Sequence, residues 1–425
     1  MMTSSPNASA SVFRSANPHA LATILDASET RRIIAATDIF DLAGTKLWAR
    51  NQPVSAELQR KLMDRKLREP IEACLVAEDG VTPFVLVETL ERLFASDARL
   101  APMLAPQAAK IVREARQLPL HPVAQLLLTA SQASRPQAFE HAVAAMGLAG
   151  ALMAAHGGQT PEIRLAMLAG LLHDLGEMYI APEHGEAEAD RELDALSYRQ
   201  LVVHPHVGLL LLAQLTNYPG AVARAVVEHH ERLDGSGYPH ARLADAMSPL
   251  GRLIAVVEAA LNALRGRHDQ LLHASIGLRV VPGEFDLVWV GKLTEAARTQ
   301  PPLQPVLEPA EIRARRTALD EVLHAAAHNV DRLAKQGGSA GLKAALELAQ
   351  FLIGRMRIGW NEIGLWGPQV ASGDDAAEVE ALEDALYFRL RGVQRAVLLR
   401  AGELAADEAA QLAALCDSLP MGRGA

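Results

Sequence analysis

Cysteine, aromatic side chains and surplus positive charge are all scarce in this chain of 425 residues, and each scarcity removes a class of protein. The two cysteines, Cys74 and Cys416, stand far apart without a CxxC partner. They build neither a disulfide framework nor a zinc ribbon, which fits a reducing cytoplasm. Aromatic residues make up 4% of the chain. Alanine and leucine dominate the apolar half, which favours packed helices over sheets. The 41 basic residues are outnumbered by 50 acidic ones, a net charge of -9. An electrostatic grip on polymeric nucleic acid needs the opposite balance, whereas a small nucleotide is still accommodated if a bound metal supplies positive charge locally. No basic segment followed by an apolar stretch opens the chain. The apolar run 207–213 is far short of the roughly 20 residues of a bilayer span. The expectation is a soluble, cytoplasmic protein with no membrane and no nucleic-acid polymer as partner.

A chain of this length divides into two or three domains. Residues 1–29, rich in Ser, Ala and Asn, read as a disordered tail. Residues 30–120 read as a small mixed α/β module. Within it, 37–47 gives two short extended segments around a turn at Gly44, and Ser55 caps a helix with Leu58 and Leu62 on one face. From 121 to 300 the pattern is strongly helical, with Thr160 as a cap and Pro161 at the first helical position. Residues 301–309 form a proline-rich linker. The region 310–425 reads as helical, since Leu342, Leu346, Ala349, Ile353 and Met356 follow helical spacing. Gly337-Gly338 and 367–377 read as loops within it.

The residues that point to chemistry are His141, His173, Asp174, His204, His229, His230 and Glu258, each on or at the end of a helical segment. One such histidine is ordinarily a hydrogen-bonded structural residue. A buried carboxylate, however, costs several kcal/mol unless it is paired or coordinated, and several such groups together are explained by a divalent metal. Imidazoles mixed with carboxylates suit Fe, Mn, Zn or Ni rather than Ca or Mg.

The segments LLHDLGE (171–177), HPHVG (204–208) and HHERLDGSGYP (229–239) resemble the successive motifs of the HD-GYP family. RLIAVVE (252–258) and PGEFD (282–286) are similar to stretches that follow in that family. The resemblance covers about 141–295 and implies a fold class: mostly α, an HD-type helical bundle core with a small mixed α/β N-terminal module and a helical C-terminal region. It implies that His141, His173, Asp174, His204, His229, His230 and Glu258 ligate two divalent transition-metal ions, Fe or Mn before Zn or Ni. Asp174 and His173 would be the catalytic residues and Asp174 would bridge the ions, and such a pair of ions clamps phosphoryl oxygens during in-line displacement. Glu177, Arg232, Asp234, Gly235, Gly237, Tyr238 and Pro239 would then shape the substrate pocket.

Four positions depart from the family. Glu177 stands where the motif has a phosphate-gripping lysine. Glu258 replaces a ligand aspartate with a longer arm. Leu261 stands where a second aspartate is usual, although Asn262 follows it. Gln137, four residues before His141, removes an extra ligand and with it a third metal. The activity implied is a phosphodiesterase acting on cyclic di-GMP or a related cyclic dinucleotide. The alternatives are a catalytically degenerate module that works as a regulatory or binding partner, and an HD hydrolase of another phosphorylated nucleotide. The flanking regions leave room for a homodimer or a protein partner.

Overall fold

The computed structural model describes residues 9–96, 98–185, 195–264, 270–301, 308–362, 375–401 and 404–417. Helix begins earlier than the composition implies. A 3-10 turn at Ser9–Arg14 leads into α1 (Pro18–Ser28), where a disordered tail to residue 29 was expected. The Asn17 side chain accepts from the backbone N–H groups of His19 and Ala20, and Pro18 fills the first helical position. Ala20, Leu21, Ile24 and Ala27 share one buried face. The serine- and alanine-rich composition masked this spacing. Residues 1–8 lie outside the described residues.

Four short strands follow: β1 (Ile33–Ala35), β2 (Ile39–Phe40), β3 (Lys46–Trp48) and β4 (Leu75–Ala77). The β2–β3 ribbon turns near Gly44, whose φ of 89° matches the expected turn. β4 returns antiparallel to β1, with Ile33 opposite Ala77. Between β3 and β4, α2 (Ala56–Leu62) buries Leu58 and Leu62 as its spacing requires, although Ser55 makes no side-chain cap bond. α3 (Ile71–Cys74) runs directly into β4. Helices α4 (Pro83–Ser96), α5 (Ala101–Leu104) and α6 (Ala108–Ala115) complete this part. It is not a separate unit. Buried side chains from Phe13 to Ala297 form one continuous apolar cluster, so the expected boundary at residue 120 is absent from the packing.

The centre of that cluster is α7 (Pro122–Ser134), α8 (Pro136–Ala155) and α9 (Thr160–Leu172). Then come α10 (Ala195–Leu201), α11 (His204–Leu215), α12 (Gly220–Glu228), α13 (Pro249–Leu264), α14 (Leu271–Gly277) and α15 (Leu287–Ala297). α8 is the axial strut and packs on α4, α7, α9 and α13. It is long and apolar enough to cross a membrane by length and composition, so 207–213 was not the most membrane-like segment. Its composition has another physical reason, because most of its side chains are buried in the protein core. The α9 cap is Gln159, one residue before the expected Thr160, because Gln159 and Glu162 bond each other's backbone in a capping box.

Two glycines set the spacing on which the site depends. A Cβ on Gly170 of α9 would collide with the Ala145 carbonyl of α8. One on Gly176, in the 3-10 turn Leu175–Tyr179, would collide with the His204 carbonyl. Close backbone approach at both places therefore requires glycine.

The C-terminal region is a four-helix assembly of α16 (Pro309–Lys335), α17 (Ala340–Glu362), α18 (Asp375–Ala401) and α19 (Ala406–Asp417). Leu342, Leu346, Ala349, Ile353 and Met356 are all buried in its own core, as their spacing predicts. Gly337 and Gly338 turn the chain with φ of 79° and 149°. Ile276, Val280 and Val281, at and beyond the end of α14, join this second core and seat it on the first. The stretches 302–307 of the expected linker and 363–374 of the expected loop lie outside the described residues, as do 418–425. Cys74 and Cys416 are both buried and are not joined in a disulfide.

Within this bundle, Glu383 on α18 is fully buried, and neither carboxylate oxygen receives a hydrogen bond among the described residues. Burial pushes its pKa up to about 8, and Arg315, 3.5 Å from Oε2, opposes this only in part. The folded chain thus keeps a proton that the unfolded chain releases in the ordinary carboxylate range. Stability from this group is complete at low pH and is lost as pH rises through about 8. Glu383→Gln should remove that slope. Thermal melts between about pH 5 and pH 9 should show a falling midpoint for the native chain and a flatter line for the variant.

Candidate metal centre

The ends of α9, α11 and α12 and the middles of α8 and α13 converge on one buried spot. They bring together all seven residues expected as ligands. His141, His173, Asp174 and Glu258 form one group whose ligand atoms lie mutually within 4.8 Å. Asp174, His204, His229 and His230 form a second group on the same criterion, so Asp174 belongs to both. In the first, Glu258 Oε2 lies 2.9 Å from His141 Nε2 and 3.1 Å from His173 Nε2. Asp174 turns Oδ2 to this side, 3.0 Å from His173 Nε2 and 3.4 Å from His141 Nε2. It turns Oδ1 to the other side, 3.3 Å from His229 Nε2 and 3.5 Å from His204 Nε2.

The ring orientations are set by the backbone. Nδ1 of His173 lies 2.7 Å from the Gly170 carbonyl, and Nδ1 of His204 lies 2.7 Å from that of Leu201. Nδ1 of His229 bonds the Val226 carbonyl in the same way. A carbonyl only accepts, so Nδ1 carries a proton in each, and each ring in its neutral form presents a lone pair at Nε2. Nε2 of His204 and Nε2 of His229 then face each other at 3.1 Å with no proton between them. No hydrogen bond reaches Asp174 Oδ1 among the described residues. Converging lone pairs and carboxylates in a dry pocket are the donor set of a transition metal. The residues present fit such an ion.

Electrostatics agree. Burial would raise the Asp174 carboxyl, but His173, with His204 and His229, outweighs burial and holds it well below the usual carboxylate range. Glu258 follows the same balance, with His141 and then His173 outweighing burial. For His173, burial is outweighed by Asp174 and Glu258, and its pKa rises well above the ordinary histidine value. Burial and the neighbouring His230 push His229 down to about 3, so its ring stays neutral and able to ligate.

Other residues shape this centre that the motifs alone did not single out. Asn262 Nδ2 donates to Glu258 Oε1 from the next turn of α13, which orients the carboxylate. It sits beside the Leu261 position where an aspartate was looked for. Glu228 and Glu231 are completely buried and staple the loop that follows the histidines. Glu231 accepts from the backbone N–H groups of His240 and Arg242. Glu228 accepts from Arg224, from Arg242 and from the Ser248 backbone. An acidic residue on either side of a paired histidine was the only sequence signal for these roles.

The expected pocket residues divide into two groups. Tyr238 stacks on the His230 ring, centroids 4.5 Å apart and planes 19° apart, and Pro239 follows it through a cis bond. Gly237 lies against the His230 carbonyl, and Gly235 turns the chain at a φ of 80°. Asp234 accepts from the backbone N–H of Ser236 and bonds its hydroxyl. Arg232 is committed elsewhere: it donates to the Glu231 carbonyl, stacks on Phe285 and faces Glu284. Glu177 is buried, with Oε2 turned towards Gly185, rather than spread on the surface. Arg135 donates to its carbonyl and to Thr23 Oγ1, and feels the Glu177 charge.

Among protein families, the HD domain matches residues 127–271. A cyclic di-GMP phosphodiesterase of Pseudomonas aeruginosa is 33% identical over 138 residues, 32% of this chain and 33% of that protein. A cyclic di-GMP phosphodiesterase response regulator of Xanthomonas campestris pv. campestris is 31% identical over 102 residues, 23% of this chain and 25% of that protein. A 3'3'-cGAMP-specific phosphodiesterase of Vibrio cholerae is 31% identical over 99 residues, 23% of this chain and 21% of that protein. The central segment, residues 127–271, is similar to HD domains. The chain spans about a third or less of the length of these relatives. The HD domain holds all seven ligand candidates, whereas Arg232's partners Glu284 and Phe285 lie beyond its matched limits.

The pocket loop carries one strained residue. Ala241 has a φ of 51°, a left-handed conformation that an L side chain occupies at a cost. Ala241→Gly should relieve it, and the greater freedom of glycine in the unfolded chain should offset part of the gain. A net stabilisation of about 0.5–1 kcal/mol is expected, read as a higher urea midpoint with unchanged metal content.

Proposed function

We propose that this chain is a metal-dependent phosphodiesterase that hydrolyses a cyclic dinucleotide, cyclic di-GMP or a close relative. The observation that carries this reading is the pair of ligand groups sharing Asp174. The relatives named above, which act on cyclic di-GMP and on 3'3'-cGAMP, support the substrate class. His141, His173, Asp174 and Glu258 would hold one divalent ion, and Asp174, His204, His229 and His230 the other, with Fe or Mn preferred over Zn or Ni. When bound, two such ions act as Lewis acids on the phosphoryl oxygens and lower the pKa of water at the site.

The chain's own residues prepare for that chemistry. Backbone carbonyls hold three imidazoles in the ligating tautomer. Burial of Glu258 and the histidines keeps bulk water from the carboxylates, which strengthens every charge interaction there. Tyr238, fixed on His230, forms one wall of the pocket together with Gly235, Gly237 and Pro239. Its half-buried ring offers an aromatic surface for a base. Glu177 is read as a structural anion beside Arg135 rather than a phosphate contact. The free, buried cysteines accord with a cytoplasmic setting.

Two experiments test this reading. Native protein reconstituted with Mn(II) or Fe(II) under anaerobic conditions should hold two ions per chain and linearise a cyclic dinucleotide. Asp174→Ala should lose both ions by elemental analysis, because the carboxylate serves both groups; retention of one ion would argue against a shared ligand. A chain that holds two ions yet leaves every cyclic dinucleotide intact would favour the regulatory alternative. At position 177, lysine would place a second cation near half-buried Arg135. Glu177→Lys should therefore lower stability by roughly 1–3 kcal/mol and give no gain in hydrolysis. A stable, faster variant would return position 177 to the phosphate-binding set.

A further inference from the structure

The C-terminal bundle reaches the metal centre by two routes, both from α18. On the first, Arg389 donates through Nε and Nη2 to Glu284 Oε2, at 2.8 and 2.7 Å, and through Nη2 to the Gly277 carbonyl at 2.7 Å. Glu284 turns its other oxygen to Arg232 Nε, 3.7 Å away, and its backbone carbonyl accepts from the Leu233 N–H. Arg232 and Leu233 follow His229 and His230 after a single residue, Glu231. Arg389, Glu284 and Arg232 are all largely buried, which makes charged pairs here worth more than at a surface. On the second route, α18 packs on α10. The Leu201 carbonyl of α10 orients His204, and Tyr198 of α10 meets Tyr238 edge-on at 6.1 Å. Each of these contacts falls on the His204, His229 and His230 side. The His141, His173 and Glu258 side is instead reached from the N-terminal part, through Arg135 on Thr23 and Tyr179 on Glu72.

We propose that Arg389 is a positioning residue for the His204–His229–His230 half of the centre and for the pocket loop 232–243, acting across the bundle interface through Glu284. The proposal rests on the metal-centre reading, but it is tested without any nucleotide. Full-length native protein is compared with Arg389→Ala, Arg389→Lys and Glu284→Gln by amide hydrogen exchange and by Mn(II) binding in equilibrium dialysis.

Arg389→Ala should speed exchange across 232–243 by about tenfold or more while leaving α8 and α9 protected. It should weaken one of the two Mn(II) steps by roughly tenfold and spare the other, the usual size of an outer-sphere effect on metal affinity. Lysine should fall between native and alanine, and added guanidinium ion should restore the alanine variant, which a purely space-filling role would not allow. Native exchange in the loop with an unchanged Mn(II) isotherm overturns the proposal, as does faster exchange confined to the C-terminal bundle. If Arg389→Ala does not fold, Glu284→Gln keeps the shape and removes the charge. It must reproduce both effects, or the proposal is wrong. A loosened loop in a chain that hydrolyses no dinucleotide rejects the phosphodiesterase reading and leaves the role of Arg389 standing.

Discussion

One buried carboxylate, Asp174, organises the centre of this protein. Its two oxygens face two sets of imidazoles, and neither set could be enclosed so fully without it. Each buried imidazole lone pair and each buried carboxylate is unfavourable alone. Placed together around Asp174, they become mutually supportive as soon as positive charge is present. The helix ends that carry them must therefore approach closely, and that requirement explains the glycines at 170 and 176. The apolar α8 meets the same requirement, for only a helix of small and aliphatic side chains fits the middle of so tight a bundle.

Around this centre the polar residues divide into those that face the site and those that hold the chain in place. Glu228 and Glu231 flank the paired histidines and belong to the second kind, since every oxygen accepts from a neighbouring backbone or arginine. Arg232 belongs there too, which removes it from the set of substrate contacts despite its place in the motif. Buried and fully bonded networks of this sort rigidify a loop more than they stabilise the fold.

The candidate ligands were legible chiefly through the resemblance of their motifs to a known family, since periodicity placed them on or at the ends of helices but did not bring those helices to one spot. The helical C-terminal region was legible through periodicity alone, from Leu342 to Met356. The N-terminal helix was not, since its Ser- and Ala-rich neighbourhood concealed the spacing of Leu21 and Ile24. The boundary at residue 120 failed on different grounds. Composition changes there, but burial depends on which side chains meet across the whole chain, and those from Phe13 onward meet α8 and its neighbours. Asn262 and Glu284 stood in stretches that the sequence singled out, but their roles were not legible, because orientation by a neighbouring turn, or by a distant loop, leaves no local pattern.

The matched segment, 127–271, contains every candidate ligand and the carbonyls that orient three of them, but not all of the residues that brace the site. Thr23 and Glu72 lie before it, and Glu284 and Arg389 lie after it. A segment cut at those limits would have the composition of a metal site without its rigidity. The borders of recurrence among relatives and the borders of mechanical integrity therefore fall at different places in this chain. The flanks behave less as appendages than as the two jaws of a vice.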